Sequence, residues 1–343
     1  MTRIFVFEYL TGGGIDPDVA SASTLADLSA LIVEGRVMRD AIAADLRALE
    51  GVDVTVATSR FEEMSKDHAH ARPQPGEPIT RFVSRIAREH DYAIIIAPEC
   101  DGLLLQLHDA VGAARWLGCA KEAIRTASSK SATAACLAVH DISVMPSLEP
   151  EQAVASHGRR WVVKPDDGAG ALDTYVYDQL DAAREEHEAR AAAGRNPVMQ
   201  EWVDGEPLSL SLLCEDAGAR LLSINHQRIA LSEAAQSKPH ERVVQFDGVD
   251  VNTVARHGDR GRVLERLAQR VAHAVPGLRG FAGIDLVWHP QRGPVVIEIN
   301  PRVTMAYAEL SKTRNIAAEL LAAHGVPGFA QREPYLRAWG ASS

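Results

Sequence analysis

One segment constrains this chain more than any other: Phe281–Arg302, FAGIDLVWHPQRGPVVIEINPR. Pro290 and Gly293 mark a turn between two apolar, β-prone runs, so the segment reads as an antiparallel hairpin. A turn centred between Gln291 and Arg292 sets Trp288 opposite Val295, Leu286 opposite Ile297 and Ile284 opposite Ile299 on one apolar face. The same register sets Asp285 opposite Glu298 on the other face, with Asn300 two residues further along that side. Facing carboxylates repel each other. A divalent cation between them removes the conflict, and an all-oxygen donor set suits Mg²⁺ or Mn²⁺. Alternation alone would favour one acid facing solvent. Asn300-Pro301-Arg302 directly afterwards favours the metal, because an arginine beside a metal suits a polyphosphate.

Two further segments point the same way. In Trp161–Ala171, WVVKPDDGAGA, Lys164 closes an apolar strand before a loop holding Asp166, Gly168 and Gly170. Such a lysine reaches phosphate oxygens while loop N–H groups cradle them. It is not a dinucleotide fingerprint, since the G-x-G-x-x-G order fails and a strand follows. No G-K-[ST] occurs, so it is not a Walker A loop either. As an ordinary hairpin, Lys164 would be an edge-strand solubility charge. In Val198–Ser209, VMQEWVDGEPLS, a strand and a Gly205-Glu206 turn could form a hinge whose backbone pairs with an adenine edge while Glu206 takes ribose hydroxyls. Alone, it is a strand and a turn.

Around these segments the chain alternates. Strand Ile4–Leu10, helix Glu34–Glu50, strand Val52–Thr58, a helix from Ile79 to Ile86 and the buried strand Tyr92–Ala97 give a βαβαβ rhythm, hence a parallel sheet. A helix at Ser129–His140, strands Trp161–Lys164 and Thr174–Tyr177 and a helix at Asp181–Ala193 follow. Strands Val198–Val203, Ser209–Cys214 and Arg220–Ile229, helix Arg262–Val275, the hairpin and helix Ile316–His324 complete the chain. At 343 residues, about two to three domains are expected. The boundaries read as 1–120, 121–195 and 196–343, and the class as α/β plus α+β.

Composition excludes several functions. A hydrophobic fraction of 46% with 24% charged residues is globular, and a net charge of −10 argues against a whole-chain surface for nucleic acid. The 4 cysteines form no C-x-x-C pair and read as buried thiols in a reducing compartment. Met1–Glu8 reads as a strand rather than a signal peptide, and no apolar run approaches the roughly 18 residues of a membrane span. A cytoplasmic protein without membrane partners is expected. His68-x-His70 sits in a polar loop without an acidic or cysteine partner and is not read as a metal site. Glu185-Glu186-x-Glu188 is a solvated helix face.

Taken together, Lys130 at a helix start, Lys164 with its glycine loop, E-W-V-D-G-E, G-I-D and E-I-N-P-R resemble the ATP-grasp superfamily in order and spacing, over roughly residues 120–310. The resemblance implies ATP held between two α+β subdomains, with an N-terminal Rossmann-like (pre-ATP-grasp) domain on the substrate side. It implies that a carboxylate attacks the γ-phosphoryl group of ATP, and that an amine then displaces phosphate from the acyl phosphate. Asp285, Glu298 and Asn300 would hold Mg²⁺ or Mn²⁺. Lys130, Lys164, Asp166, Gly168 and Gly170 would bind the triphosphate, with the Asp166–Ala171 loop closing over it. Glu201, Val203 and Glu206 would hold the nucleoside, and Arg302 and Lys164 would act in the transfer.

Phe7-Glu8-Tyr9-Leu10-Thr11-Gly12-Gly13-Gly14, Glu34-Gly35-x-x-Met38, Ala97-Pro98-Glu99 and Asn225-His226-Gln227 narrow the resemblance. They are similar to tyramine–glutamate ligases of methanofuran biosynthesis and their bacterial methylofuran counterparts. That implies the γ-carboxylate of glutamate as the activated acid, tyramine or tyrosine as the amine, and Glu8, Tyr9, Glu99, Asn225, Arg228 and Thr304 on the substrate side. The polar stretch Glu233–Val249 departs from many ATP-grasp ligases by lacking a Gly-Gly loop. Three other readings stay open: a ligase for different amino acids, a nucleotide-binding module without turnover, and a dinucleotide oxidoreductase. A homo-oligomer also stays open, though no motif encodes a subunit contact.

Overall fold

In the computed structural model, strand β1 (Thr2–Glu8) enters the interior at once, with Ile4 through Phe7 fully buried. It pairs in parallel with β2 (Val52–Ala57) on one side and β4 (Tyr92–Ile96) on the other, and β2 pairs in parallel with β3 (Ala69–Ala71). The sheet order is β3-β2-β1-β4. Alternation sends Phe5 and Phe7 to one face, against Phe82 and Val83 of α2 (Ile79–Ala87). Ile4 and Val6 go to the other, against Met38, Ile42 and Leu46 of α1 (Ser29–Arg47). Helices thus cover both faces, as a parallel sheet requires. The structure describes residues 1–15, 28–60, 62–155, 158–168, 170–216, 218–233 and 240–329. Ala169 of the glycine loop and residues 234–239 of the polar stretch lie outside the described residues.

Helices α3 (Leu103–Val111), α4 (Lys121–Ala127) and α5 (Lys130–Val139) lead to the second sheet. Its strands are β5 (Trp161–Pro165), β6 (Tyr175–Tyr177), β7 (Pro197–Glu201), β8 (Glu206–Glu215), β9 (Gly218–Ser232), β10 (Glu241–Asp250), β11 (Gly280–His289) and β12 (Gly293–Asn300). They lie in the order β12-β11-β8-β9-β10-β6-β5-β7, and every neighbouring pair is antiparallel. β7 returns to pair with β5 along its whole length, so strands on both sides of residue 195 share one sheet. Helix α6 (Leu180–Ala192) packs Leu180 and Ala183 on Trp161, Tyr177 and Met199. Leu264, Leu267 and Val271 of α7 (Asp259–Ala274) pack on Leu208, Leu210 and Ile224. Helices α8 (Ala306–Ser311) and α9 (Ile316–Ala323) dock on α1, where buried Asp45 accepts from Tyr307 Oη at 3.0 Å.

Several elements differ from the sequence reading: helices α3, α4 and α8 were not expected, and α1 begins at Ser29 rather than Glu34. β3 lies in the stretch read as a loop, because three residues are too few to show alternation. β10 fills most of the polar stretch ending at Val249; only its Val244 is fully buried, so apolar patterning is weak there. The hairpin keeps Ile284 opposite Ile299 and Asp285 opposite Glu298, but then shifts register. Leu286 faces Val296 rather than Ile297, and Trp288 faces Pro294 rather than Val295. An extra residue, Ile297, is absorbed as a bulge on β12. The bulge turns Ile297 into the cleft beside the two acids.

Candidate active site

A cleft of about 950 Å³ runs between the two sheets. At one end, the β11–β12 ladder holds Asp285 and Glu298 side by side. Asn300 Nδ2 donates to Asp285 Oδ2 at 3.1 Å, and Gln227 of β9 also donates to that carboxyl. Burial pushes Asp285 well above the usual carboxylate range, and the facing Glu298 charge pushes it further. Burial alone would also raise Glu298, but Lys130 and Lys164 together hold it below its ordinary value. Lys130 Nζ lies 3.4 Å from Glu298 Oε2. Lys164, at the end of β5 and 5% exposed, is pushed down to about 8 by burial, with Lys130 adding to the shift.

These residues fit a hard cation. Two carboxylates crowd one rung of a ladder, one of them kept from ionising freely, and Asn300 lies on the same side, its amide nitrogen toward Asp285 and its oxygen toward Arg302. Among the described residues, no group of three or more His, Cys, Asp or Glu side chains could hold a metal. The donor set is therefore two acids and an amide, which suits an ion completing its shell with phosphate oxygens and water.

Lys130 owes its position to a cap. Ser129 Oγ accepts from Ala132 N at 3.1 Å, and the Asp166 carboxylate accepts from Ser129 Oγ at 2.6 Å and Ser131 N at 2.8 Å. Asp166 therefore serves the start of α5 and does not line the cleft. Its neighbour Asp167 does, as do Gly168 and Gly170. Lys130 Nζ donates to Gly168 O at 3.2 Å.

Glu201 and Val203 line the far end of the cleft, with Met145, Val162 and Trp202. Glu206 does not. β8 pairs Pro207 with Val287 and Ser209 with Asp285, so those residues share the cleft face. Glu206 pairs with Trp288 on the opposite face and lies 2.5 Å from Arg260, whose guanidinium stacks over the Trp288 ring. This alternation sets Glu206, expected at the ribose, on the face away from the cleft.

Of the substrate-side residues, Glu8, Tyr9 and Thr304 line the cleft. Glu8, 4% exposed, accepts from Leu10 N, Thr11 N and Thr11 Oγ1, while burial raises its carboxyl. Glu99 instead forms an ion pair with Arg302, Oε1 to Nε at 2.9 Å, and Arg302 itself lines the cleft. Asn225 is fully buried and donates to Ser209 Oγ and Ser211 Oγ. Arg228 binds Asp247 O and Asp250 away from the cleft. Besides Asp167, the cleft residues not assigned from sequence include Gln227 and Glu34. Gln227 lies two residues beyond Asn225. Glu34 shares a helical stripe with Leu31 and Met38, visible only once α1 is started at Ser29 rather than Glu34. Burial raises the Glu34 carboxyl, and nearby Arg302 opposes the rise.

Comparison with known proteins places this geometry. Residues 127–306 match the model of the ATP-grasp domain, and residues 52–124 match that of the pre ATP-grasp 3 domain. A crystal structure described as an ATP-grasp superfamily protein from Archaeoglobus fulgidus superposes with a TM-score of 0.66 at 21% identity, covering 94% of this chain and 89% of that one. An L-amino acid ligase from Bacillus licheniformis gives 0.60 at 14% identity, over 94% and 74% of the two chains. A D-alanine–D-alanine ligase from Bacillus anthracis gives 0.61 at 14% identity, over 94% and 97%. At these identities the likeness is one of fold. Among curated proteins, none matches the sequence. Among the described residues, no helix is long and apolar enough to cross a membrane.

Proposed function

Because the chain belongs to the ATP-grasp domain family over more than half its length, we propose that it is an ATP-dependent carboxylate–amine ligase. The observation that carries this reading is the Asp285–Glu298 pair with Lys130, Lys164 and Arg302 around it, at one end of a cleft large enough for two ligands. Asp285, Glu298 and Asn300 would hold Mg²⁺ or Mn²⁺, which when bound neutralises phosphate charge. Lys130 and Lys164 bind the triphosphate, and Glu201 and Val203 flank the nucleoside. A substrate carboxylate oxygen attacks the γ-phosphorus, the bond to ADP breaks, and Arg302 steadies the charge on the transferring group. The neutral amine then attacks the acyl carbon, the acyl C–O bond breaks, and the phosphate leaves taking the amine's surplus proton. The chain's contribution is mainly alignment and exclusion of water by the 166–171 loop. The similar structures named as ligases of amino acids support the same reaction class.

The finer reading is that glutamate supplies its γ-carboxylate and tyramine or tyrosine the amine, in methanofuran- or methylofuran-type synthesis. The N-terminal wall of the cleft favours it: Tyr9, Leu31, Met38 and Ile96 offer an apolar surface beside Glu8 and Glu34. An aromatic body with a cationic amine complements such a surface. The division near residues 120 and 195 belongs to this reading.

The test is ADP release with ATP and Mg²⁺, with glutamate and tyramine or tyrosine supplied singly and together, and product mass read in the same tubes. ADP dependent on both, with a new amide, is the expected result. ADP and an amide only with other acids or amines would keep the ligase and discard the substrates. Tight ATP binding without ADP under any acid and amine would discard the ligase.

A further inference from the structure

Three consecutive residues at the mouth of the cleft reach two distant parts of it. Glu99, 4% exposed, follows β4 and grips Arg302 across 203 residues of chain, Nη2 to Oε2 at 3.1 Å and Nε to Oε1 at 2.9 Å. Cys100 lies under the glycine loop; a Cβ on Gly168 would stand 3.7 Å from its Sγ. Asp101 donates its backbone N–H to Asp167 Oδ2 at 2.6 Å. Asp101 holds left-handed backbone angles, φ 51° and ψ 27°, and Gly102 follows at φ 67°. That conformation is strained for aspartate. The turn Glu99–Asp101 thus ties the first sheet both to the arginine beside the acids and to the loop beside Lys130.

We propose that this turn couples nucleotide enclosure to transfer: Glu99 is a positioning residue that aims the Arg302 guanidinium, and the Asp101 amide latches the glycine loop through Asp167. The proposal rests on the ligase reading. A guanidinium on a flexible stem has many rotamers, and one hydrogen bond together with a close ion-pair contact to a buried carboxylate restricts them. A second support comes from Asn300, whose Oδ1 accepts from Arg302 Nη2 at 3.4 Å, so one arrangement sets both the acids' neighbour and the arginine. The latch works on water. With Asp167 held, Gly168 O stays within reach of Lys130 Nζ, and both residues stay at the reacting end of the cleft. A loop released from Asp101 admits water to the acyl phosphate, and ADP forms without amide.

Two variants of the full chain test the proposal. Glu99→Gln keeps the side chain's shape and removes its charge. Its expected kcat falls about 30-fold with the ATP KM within about twofold of wild type. Glu99→Asp should recover part of the loss, and an unchanged melting temperature for the Gln variant separates aim from unfolding. Asp167→Ala, on a surface loop, is expected to raise the ratio of ADP to amide at least about threefold. It should also speed subtilisin cleavage within residues 166–172 about tenfold in the nucleotide-free protein. Wild-type kcat in Glu99→Gln, or a loss confined to ATP KM, overturns the aiming role. An unchanged ratio with unchanged cleavage overturns the latch. If the wild type itself releases no ADP with any acid and amine, the ligase reading fails, and the cleavage rate still decides the latch.

Discussion

The two walls of the cleft are built on different physics. The wall carrying Asp285, Glu298, Lys130 and Lys164 is positioned by backbone: a ladder rung, the end of β5 and the first turn of a capped helix. Each side chain there is ionisable, and each is set against another. The opposite wall, from β1, α1 and the end of β4, is apolar apart from Glu8 and Glu34. Glu8 spends its oxygens on Thr11 and Leu10. On the proposed ligase reading, the first wall would serve any substrate that reacts with a nucleoside triphosphate, and the second, shaped by side-chain volume, would select which substrate enters. That reading sets reaction class and specificity on opposite sides of one space.

The largest expected effect breaks the charged wall. Glu298→Gln removes one metal charge and should lower turnover by at least about 100-fold with the fold intact. Asp285→Asn should do the same, and should also change how stability depends on pH. Because burial and Glu298 raise the Asp285 carboxyl, the unfolded chain ionises first as pH climbs past the ordinary carboxylate value. The folded state therefore loses stability through the window from there up to the raised value, and below that window the residue contributes no slope. Asn cannot ionise. Urea unfolding of the metal-free proteins at pH 5 and pH 8 should show a smaller decline for Asp285→Asn than for wild type. Wild-type turnover in either variant would remove the metal assignment, and an equal decline would remove the electrostatic one.

Lys164→Ala comes next and should weaken ATP binding about 10- to 100-fold. The lysine is pushed down to about 8, so its charge is lost as pH rises through that value. Wild-type affinity should fall between pH 7 and pH 9.5 while the Ala variant stays nearly flat, read by calorimetry. Equal slopes in the two proteins would show that another group controls the interaction.

How much of this was legible follows the same division. The Asp285–Glu298 rung could be read because a turn flanked by alternating residues fixes which positions face each other near the strand ends. The bulge at Ile297 could not, since both registers bury an equally apolar set. Lys164 was legible as the end of an apolar strand. The split between Asp166, which caps α5, and Asp167, which faces the cleft, depends on a loop path that no periodicity describes. The apolar wall was legible as fold, in the βαβαβ rhythm, and poorly as site. Glu34 was read as a helix start rather than as the middle of a cleft-facing stripe.

Glu34→Gln probes that wall. An amine meeting this half-buried acid loses a charge-assisted partner, so the amine KM should rise about tenfold while the ATP KM stays within about twofold. A matched rise in both constants would mean that the walls are not independent, and that Arg302, which lowers the Glu34 carboxyl, carries the effect across the cleft.

The smallest expected effect concerns Glu206, and it tests the alternation on which the comparison of walls depends. If β8 presents Pro207 and Ser209 to the cleft, Glu206 lies beneath the sheet against Arg260 and Trp288. Glu206→Gln then removes a partly exposed ion pair, a change of no more than about 1 kcal/mol in stability, and should alter the ATP KM by less than about twofold. A tenfold rise in ATP KM without loss of stability would place the carboxylate on the nucleoside after all. That outcome requires β8 to slip by one residue, which would also turn Ser209 away from Asp285 and expose Leu208, now fully buried, to the cleft. One kinetic constant at an otherwise quiet position therefore reports the register of the strand that supports the metal rung.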